Sequence, residues 1–522
     1  MRREQVFWGW GEPGAGPALP EHAVPLLRSE LGISGDVVST PVATLAVPPS
    51  ALPAAVRERL SAVAQVREDA QARVLRARGK SYLDLLAQRA GAFADVPDAV
   101  VAPERVEAVA AVLAVCAEEG VAVVPFGGGT SVVGGLEPVR GRFGALISLD
   151  LGALEGVVSV DARSAVAVFE AGIRLPEADA ALRAHGLALG HVPQSYEWAT
   201  VGGCAATRSA GQSSTGHGRF DAQVVALDFV APTGTLATRD VPGTAAGPSL
   251  RQLVLGSEGA FGVITRVAVR VRPARSAAYD AWVLPSFADG CDVLRRLAQD
   301  GLAPDIARLS DEEETRLNVA LAGTGAVGRR LLEGRSLLIC GWEGAVGRTA
   351  AARVLVRAGA RPLGGGPGRG WERSRFAGPH LRDDLLDRGV LVETLETAAS
   401  WSRLDTVYGA VRDALPGVHV GCHVSHVYAT GASLYFTVLG RQADDPVAQW
   451  TGLKERATRA VLDAGGTLTH HHAIGRDHAP WLGEEVGALG LELLRAVKER
   501  CDPAGIMNPG KLLVDSAGAR LS

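Results

Sequence analysis

The chain has 522 residues, 47% of them hydrophobic, a length that allows two or three domains. Its 53 basic and 57 acidic residues are interspersed and leave a net charge of −4, which excludes the basic tail or stripe needed for nucleic-acid binding and points to a small-molecule partner. Six cysteines lie far apart without a CxxC pair, against a zinc ribbon or disulfide framework, and no run approaches the about 20 apolar residues of a transmembrane segment.

The opening MRREQVFWGWGEPG lacks the apolar core of a signal peptide, so a cytoplasmic protein is expected. The first ~50 residues, rich in Pro and Gly, read as an extended lead-in whose tryptophans need a surface to pack against. Residues 53–89 have helical periodicity and strong helix formers, predicting one long helix or two. A strand at 99–101, a helix at 106–119 and a strand at 121–125 follow, and this second strand runs into the glycines of PFGGGTS. Through residue 273 the runs ALISLDL, VVSVDARSAVAVFEAGI, VVALDFVAPTGTL and GVITRVAVRVRP read as strands, interrupted by a helix at 175–185. A boundary at 274–279 precedes a second α/β domain, in which GGGPGRG at 364–370 reads as a mobile surface turn. GGTLTHHHAIG, a helix at 484–501 and DPAGIMNPGKLL close the pattern, with no internal repeat.

Three common signatures fail. A Rossmann fingerprint must open a helix, whereas GGGTSVVGG heads toward the strand-like GALISLD. GIMNPGK has Walker A spacing, but Leu512 stands where a magnesium-binding Ser or Thr is required, and GSEG is one residue short of a GxSxG elbow. What remains is three clusters of glycine and hydroxyl residues: PFGGGTS, PQSYEWATVGG with TRSAG, and GSEGAFGVIT. Glycines let backbone amides converge on an anion, and Ser and Thr add donors. Three such clusters beside predicted strands point to a long anionic cofactor lying across several loops.

With WGWG, PFGGGTSVVGGL, SYEWATVGGCAATRSAG, GSEGAFGVIT, ASLYF, GGTLTHHHAIG and DPAGIMNPGKLL, the chain resembles the FAD-linked oxidases of the vanillyl-alcohol oxidase type. Within them it is most similar to the alkylglycerone-phosphate synthases, from Trp8 to Leu513. The resemblance implies an α+β fold with an N-terminal extension and helical segment (1–90) and an FAD-binding domain of two α/β subdomains (91–275). An inserted α/β cap (276–465) and a C-terminal segment completing the active site (466–522) follow. It implies non-covalent FAD held by Pro125, Phe126, Gly127, Gly128, Gly129, Thr130 and Ser131, and by Gln194, Ser195, Tyr196, Glu197, Trp198, Ala199, Thr200, Gly202 and Gly203. Thr207, Arg208, Ser209 and Ala210 join them, with Glu258, Gly259, Ala260, Phe261, Gly262, Val263 and Ile264. It further implies Tyr435 as the catalytic tyrosine, His470, His471 and His472 as an essential cluster, and Arg382 and Arg308 at the substrate.

The implied reaction exchanges the acyl group of an acyl-dihydroxyacetone phosphate for an alkyl group, through a flavin N5 adduct and with no net redox change. The substrate would be lipid-like, with a phosphate, and the setting ether lipid biosynthesis; a homodimer is left open. An FAD-linked oxidase or dehydrogenase of a hydroxy acid or a secondary-metabolite alcohol is the alternative, although the GDGN metal loop of many hydroxy-acid dehydrogenases is missing.

The residues alone leave other readings open. SLYFTVL is β-like, so Tyr435 also reads as a core residue of a strand. If TLTHHHAIG is a strand, His470 and His472 share one face and His471 the other. Imidazole is a common metal ligand, but no carboxylate accompanies the run and no metal is expected. Arg382 adjoins Asp383 and Asp384 and also reads as a plain ion-pair partner. Gln194 replaces an Asp of the family pattern, His217 replaces a Tyr, and NPGK reads as a terminal turn bringing Lys511 toward the cofactor.

Overall fold

Helix Val106–Glu119 buries Val109, Val112, Leu113 and Cys116 at helical spacing and ends at Gly120, whose φ of 63° suits a residue without Cβ. The chain then enters strand Val121–Phe126, parallel to Ala145–Asp150; beyond that lie Ala99–Ala102, parallel, and Gln65–Arg67, antiparallel at the edge. The C-terminal segment takes up the outer edge, where the Val123 amide donates to the Ile506 carbonyl and Asn508 donates back to Val123. The computed structural model describes residues 3–16, 18–42, 44–323, 325–344 and 347–513, so residues 514–522 of the expected C-terminal segment lie outside the described residues.

A five-stranded antiparallel sheet follows in the order Val157–Asp161, Val166–Glu170, Val263–Arg270, Val224–Ala231, Gly234–Ala237. The largest sheet has seven antiparallel strands, ordered Arg361–Gly364, Ala278–Leu284, Ser336–Trp342, Ile306–Ser310, His419–Val424, Gly431–Arg441, Val390–Ser400. Its fully buried Leu338, Leu434 and Phe436 belong to the largest apolar core, which also takes in Leu294 and Leu297 of helix Phe287–Gln299 and Val407 and Val411 of helix Leu404–Asp413.

The structure departs from the expected elements in four places. Residues 53–89 form three helices, Ala54–Ser61, Ala70–Leu75 and Tyr82–Arg89, not one or two. Asp69 caps the second through the Ala72 amide, and Ser81 and Asp84 form a capping box on the third, so each cap starts a new helix. Between them Gly79 passes so close to Ser131 that a Cβ would lie 2.3 Å from its carbonyl oxygen. The lead-in contains a helix, Val24–Leu31, and its Trp10 is buried with its amide donating to Asp383 at 2.7 Å. GGGPGRG is not a turn but the start of helix Gly366–Ser374: proline is tolerated in a first turn, and Gly368 sits where a Cβ would meet Tyr279 at 2.6 Å. The last helix, Leu482–Cys501, is broken at Gly487, whose φ is 74°.

All six cysteines are free thiols. Among the described residues no helix is long and apolar enough to cross a membrane.

Candidate active site

Strand register builds the first part of the site. Glu396 pairs with Tyr435, and Tyr435 with His423, so three side chains from three neighbouring strands stand in one row on one face. The His423 ring stacks on Tyr435 at 4.8 Å between centroids. Its Nδ1 lies 2.9 Å from Glu314 and its Nε2 3.1 Å from Arg308, while Arg308 also binds Glu314 at 2.8 Å. A guanidinium only donates, so Nε2 accepts and the proton sits on Nδ1, facing the carboxylate. Burial and the Arg308 charge lower the His423 pKa, and Glu314, despite its own burial, is held at about 2 by His423 and Arg308. Arg308 therefore serves at least to orient the ring under Tyr435.

Arg382 acts on the tyrosine through its charge, which favours the ionised phenol. It sits on helix Gly378–Asp387, is buried, pairs with Glu393 at 3.3 Å and donates to the Lys80 carbonyl. Its neighbours Asp383 and Asp384 face elsewhere, accepting the amides of Trp10 at 2.7 Å and Leu19 at 2.8 Å, so the lead-in and not Arg382 uses them. Burial pushes the Tyr435 phenol up to about 12, against a hydrogen bond with Thr394, so the hydroxyl is protonated near neutral pH. Arg382→Met would leave the Glu393 carboxylate buried without its counter-charge. A loss of about 3–5 kcal/mol is expected, read as a lower denaturant midpoint; an unchanged midpoint would leave Arg382 free to act on a ligand alone.

The histidine run is not a strand. It is a loop wrapped around Glu396, which is 7% exposed. Glu396 Oε2 accepts the His470 amide at 2.8 Å, and Oε1 accepts those of His471 at 3.1 Å and His472 at 2.9 Å, together with the Thr469 hydroxyl. The alternation expected of a strand is lost, and all three rings gather near Tyr435. His471 stacks toward it at 6.0 Å, His472 meets it edge-on at 5.5 Å, and His470 packs against His471 at 5.2 Å. His470 Nε2 lies 2.7 Å from the Tyr428 hydroxyl, its Nδ1 lies 3.0 Å from His471 Nδ1, and that atom is 3.2 Å from Glu396 Oε2. Burial drives His470 down to about 3 and His472 well below the usual range, so both are neutral near neutral pH, and the same burial makes each a weak base. Among the described residues, His426, His470 and His471 also bring ring nitrogens within 4.8 Å of one another, the one set close enough to share an ion. Two of those nitrogens already face each other and Glu396.

The glycine clusters form a second part of the site. The loop after strand Val121–Phe126 leaves no room for side chains: a Cβ on Gly128 would lie 2.2 Å from the Trp198 carbonyl oxygen, and one on Gly127 2.6 Å from the Thr200 hydroxyl. Gly129 adopts φ 71°, and Thr200 caps helix Val201–Thr207, in which a Cβ on Gly202 would strike Ala171 at 2.5 Å. Pro125 and Phe126 end the strand that delivers this loop, and the Ser131 carbonyl accepts the Lys80 amide at 2.6 Å. Polar atoms are left over here: Trp198 Nε1, His191 Nδ1 and Gln212 Oε1 are buried without hydrogen-bond partners. Groups of both polarities around a cradle free of Cβ atoms fit a large polar cofactor.

Not every expected cofactor residue offers its side chain. Gln194 donates to the Arg375 carbonyl at 2.6 Å, Tyr196 to Asp179 at 2.8 Å, and Arg208 to the Leu255 carbonyl at 3.0 Å. Ala199, Ala210, Ala260, Phe261, Val263 and Ile264 are buried apolar residues, and Gly262 (φ 153°) and Gly259 (φ 75°) shape the backbone between them. The Glu258 carboxylate accepts the amides of Ile474 and Gly475, both at 2.8 Å, and so ties the third cluster to the end of the histidine loop. Ser209 meets His191 Nε2 at 3.1 Å, and Thr207 bonds the Gly203 carbonyl at 2.9 Å; Thr130, Ser195 and Glu197 lie in the loops between. Lys511 is buried, donating to the Glu137 and Pro509 carbonyls.

Sequence reasoning missed Glu396, Glu393, His423, His426, Tyr428 and His191. The signal for the first two was legible, since two acids, the only charged residues of the strand-like VLVETLETAAS, demand partners where that strand is buried. Likewise HVSHVY places two histidines and a tyrosine just before the Tyr435 strand.

Residues 97–239 match the family of FAD binding domains, and residues 273–512 the C-terminal domain of FAD linked oxidases. The chain is 34% identical over 481 residues to alkyldihydroxyacetonephosphate synthase of Trypanosoma brucei brucei, covering 86% of this chain and 78% of that one. It is 32% identical over 500 residues to the same enzyme of Dictyostelium discoideum, covering 89% and 82%. A solved structure of alkyldihydroxyacetonephosphate synthase aligns with a TM-score of 0.83 at 28% identity, over 97% of this chain and 98% of that one. p-Cresol methylhydroxylase aligns at 0.68 with 14% identity, over 91% and 100%, which shows that the FAD-binding fold is shared.

Proposed function

Because the chain belongs to the alkyldihydroxyacetonephosphate synthase family and is an FAD-dependent enzyme of the FAD-linked oxidase type, we propose that it exchanges the acyl group of an acylated ketotriose phosphate for an alkyl group without net oxidation. The observation that carries this reading is Tyr435, stacked on the His423 ring that Arg308 orients and facing the histidine loop. Residues 91–275 would hold FAD without a covalent link, through Gly127, Gly128, Gly129 and the loops around Trp198 and His191. Residues 276–465 would form the cap, and residues from 466 onward would close the site. Bound FAD supplies a nucleophilic ring nitrogen, the chemistry needed to hold a carbon while one oxygen substituent replaces another.

The protein groups divide the remaining work. Replacing a carboxylate by an alkoxide releases one proton from the alcohol, and a neutral imidazole beside Tyr435 can take it. Tyr435, protonated near neutral pH, begins as a proton donor. Arg308, its side chain 23% exposed, is the cation that would meet an anionic substrate while it orients His423.

The test is direct. FAD-loaded protein is mixed anaerobically with an acylated ketotriose phosphate and a long-chain alcohol, and the flavin spectrum, released fatty acid and ether product are followed. Fatty acid and ether in equal amounts are expected. Flavin reduction by a hydroxy acid, with no exchange, would replace this reading by that of a dehydrogenase.

A further inference from the structure

We propose that Glu396 is the positioning residue that separates the roles of the three adjacent histidines, holding their loop by its backbone and fixing the His471 proton on Nδ1 so that Nε2 is left as the base. This rests on the reading above that the histidine loop moves protons at the reacting centre.

An ionised carboxylate only accepts. Glu396 Oε2 therefore meets a proton on His471 Nδ1, 3.2 Å away, as it meets the His470 amide at 2.8 Å. With that proton in place, His470 Nδ1, 3.0 Å from the same atom, is a lone pair, so neutral His470 bears its proton on Nε2 and donates to Tyr428 at 2.7 Å. In this assignment no donor faces a donor and no lone pair faces the carboxylate. The opposite tautomer of His471 would turn a lone pair toward Glu396. Oε1 is occupied by the His471 and His472 amides and the Thr469 hydroxyl, so carboxylate and loop are locked together. Glu396 is also the register partner of Tyr435, so the carboxylate that orients the imidazole is tied to the strand bearing the phenol. A buried acid that fixes the tautomer of a catalytic imidazole is worth a factor on the order of 10⁴ in serine proteases.

Glu396→Gln keeps one carbonyl oxygen for the Oε1 donors and puts an amide group where Oε2 stood, against two N–H groups. A kcat lower by about 10³–10⁴-fold is expected, with KM little changed and FAD still bound. A kcat within about 10-fold of the parent would overturn the proposal. Should the variant fail to fold, the tautomer itself decides. In ¹⁵N-histidine-labelled parent protein, the His471 signals, identified by their loss in His471→Asn, should show a protonated Nδ1 and an unprotonated Nε2; the reverse pattern sinks the idea. If the parent shows no acyl-for-alkyl exchange, the proposed reaction falls, while the ¹⁵N pattern still judges Glu396.

Discussion

Turnover of Tyr435→Phe is expected to fall about 10²–10⁴-fold, the usual worth of a positioned proton donor, with FAD still bound. The substitution removes one oxygen and keeps the ring, so the stack on His423 at 4.8 Å and the edge contact with His472 at 5.5 Å survive. The lost hydrogen bond with Thr394 accounts for only about 1 kcal/mol of stability. Steady-state exchange, flavin absorbance and a thermal melt on one preparation separate the cases. Normal turnover would remove Tyr435 from the chemistry, and a colourless or unfolded variant would make it structural.

Gly128→Ala is expected to cost the protein its flavin. The added Cβ would lie 2.2 Å from the Trp198 carbonyl oxygen, 2.9 Å from its carbon and 3.0 Å from Ala199 Cα. All three are backbone atoms, so no rotamer relieves the clash, and the loop has to move away from the segment that completes the cradle. FAD should bind at least about 10-fold more weakly, which is about 1.4 kcal/mol, measured by flavin retention on gel filtration. Gly144→Ala is the control: nothing lies within 4 Å of its added Cβ, and flavin content should not change. Full retention of FAD by Gly128→Ala would mean that the glycine cluster is a turn with no part in the cofactor site.

Local chemistry was the readable part. Helix Val106–Glu119 and the strands around it follow from apolar periodicity. Where short-range features competed, the expectations failed: the caps at Asp69 and Ser81 cut a helical stretch into pieces, and Pro367 opened a helix inside a run that reads as a loop. Arg382 shows the limit most plainly. Two acids stand beside it in sequence, yet its partner is Glu393, and the neighbouring acids fasten a segment more than 360 residues away in the chain.

By itself the sequence determined the close-approach glycine clusters, because a missing Cβ is a property of one residue, and successive glycines behind a strand allow close backbone approach in whatever setting the fold supplies. Only the tertiary structure decided how the histidines are held and which atoms face which. The His470 amide reaches Glu396 across 74 residues, and register alone sets Glu396 beside Tyr435 and Tyr435 beside His423. A pairing shift of one residue would turn each of those side chains to the opposite face, and nothing local to the histidine run specifies that register.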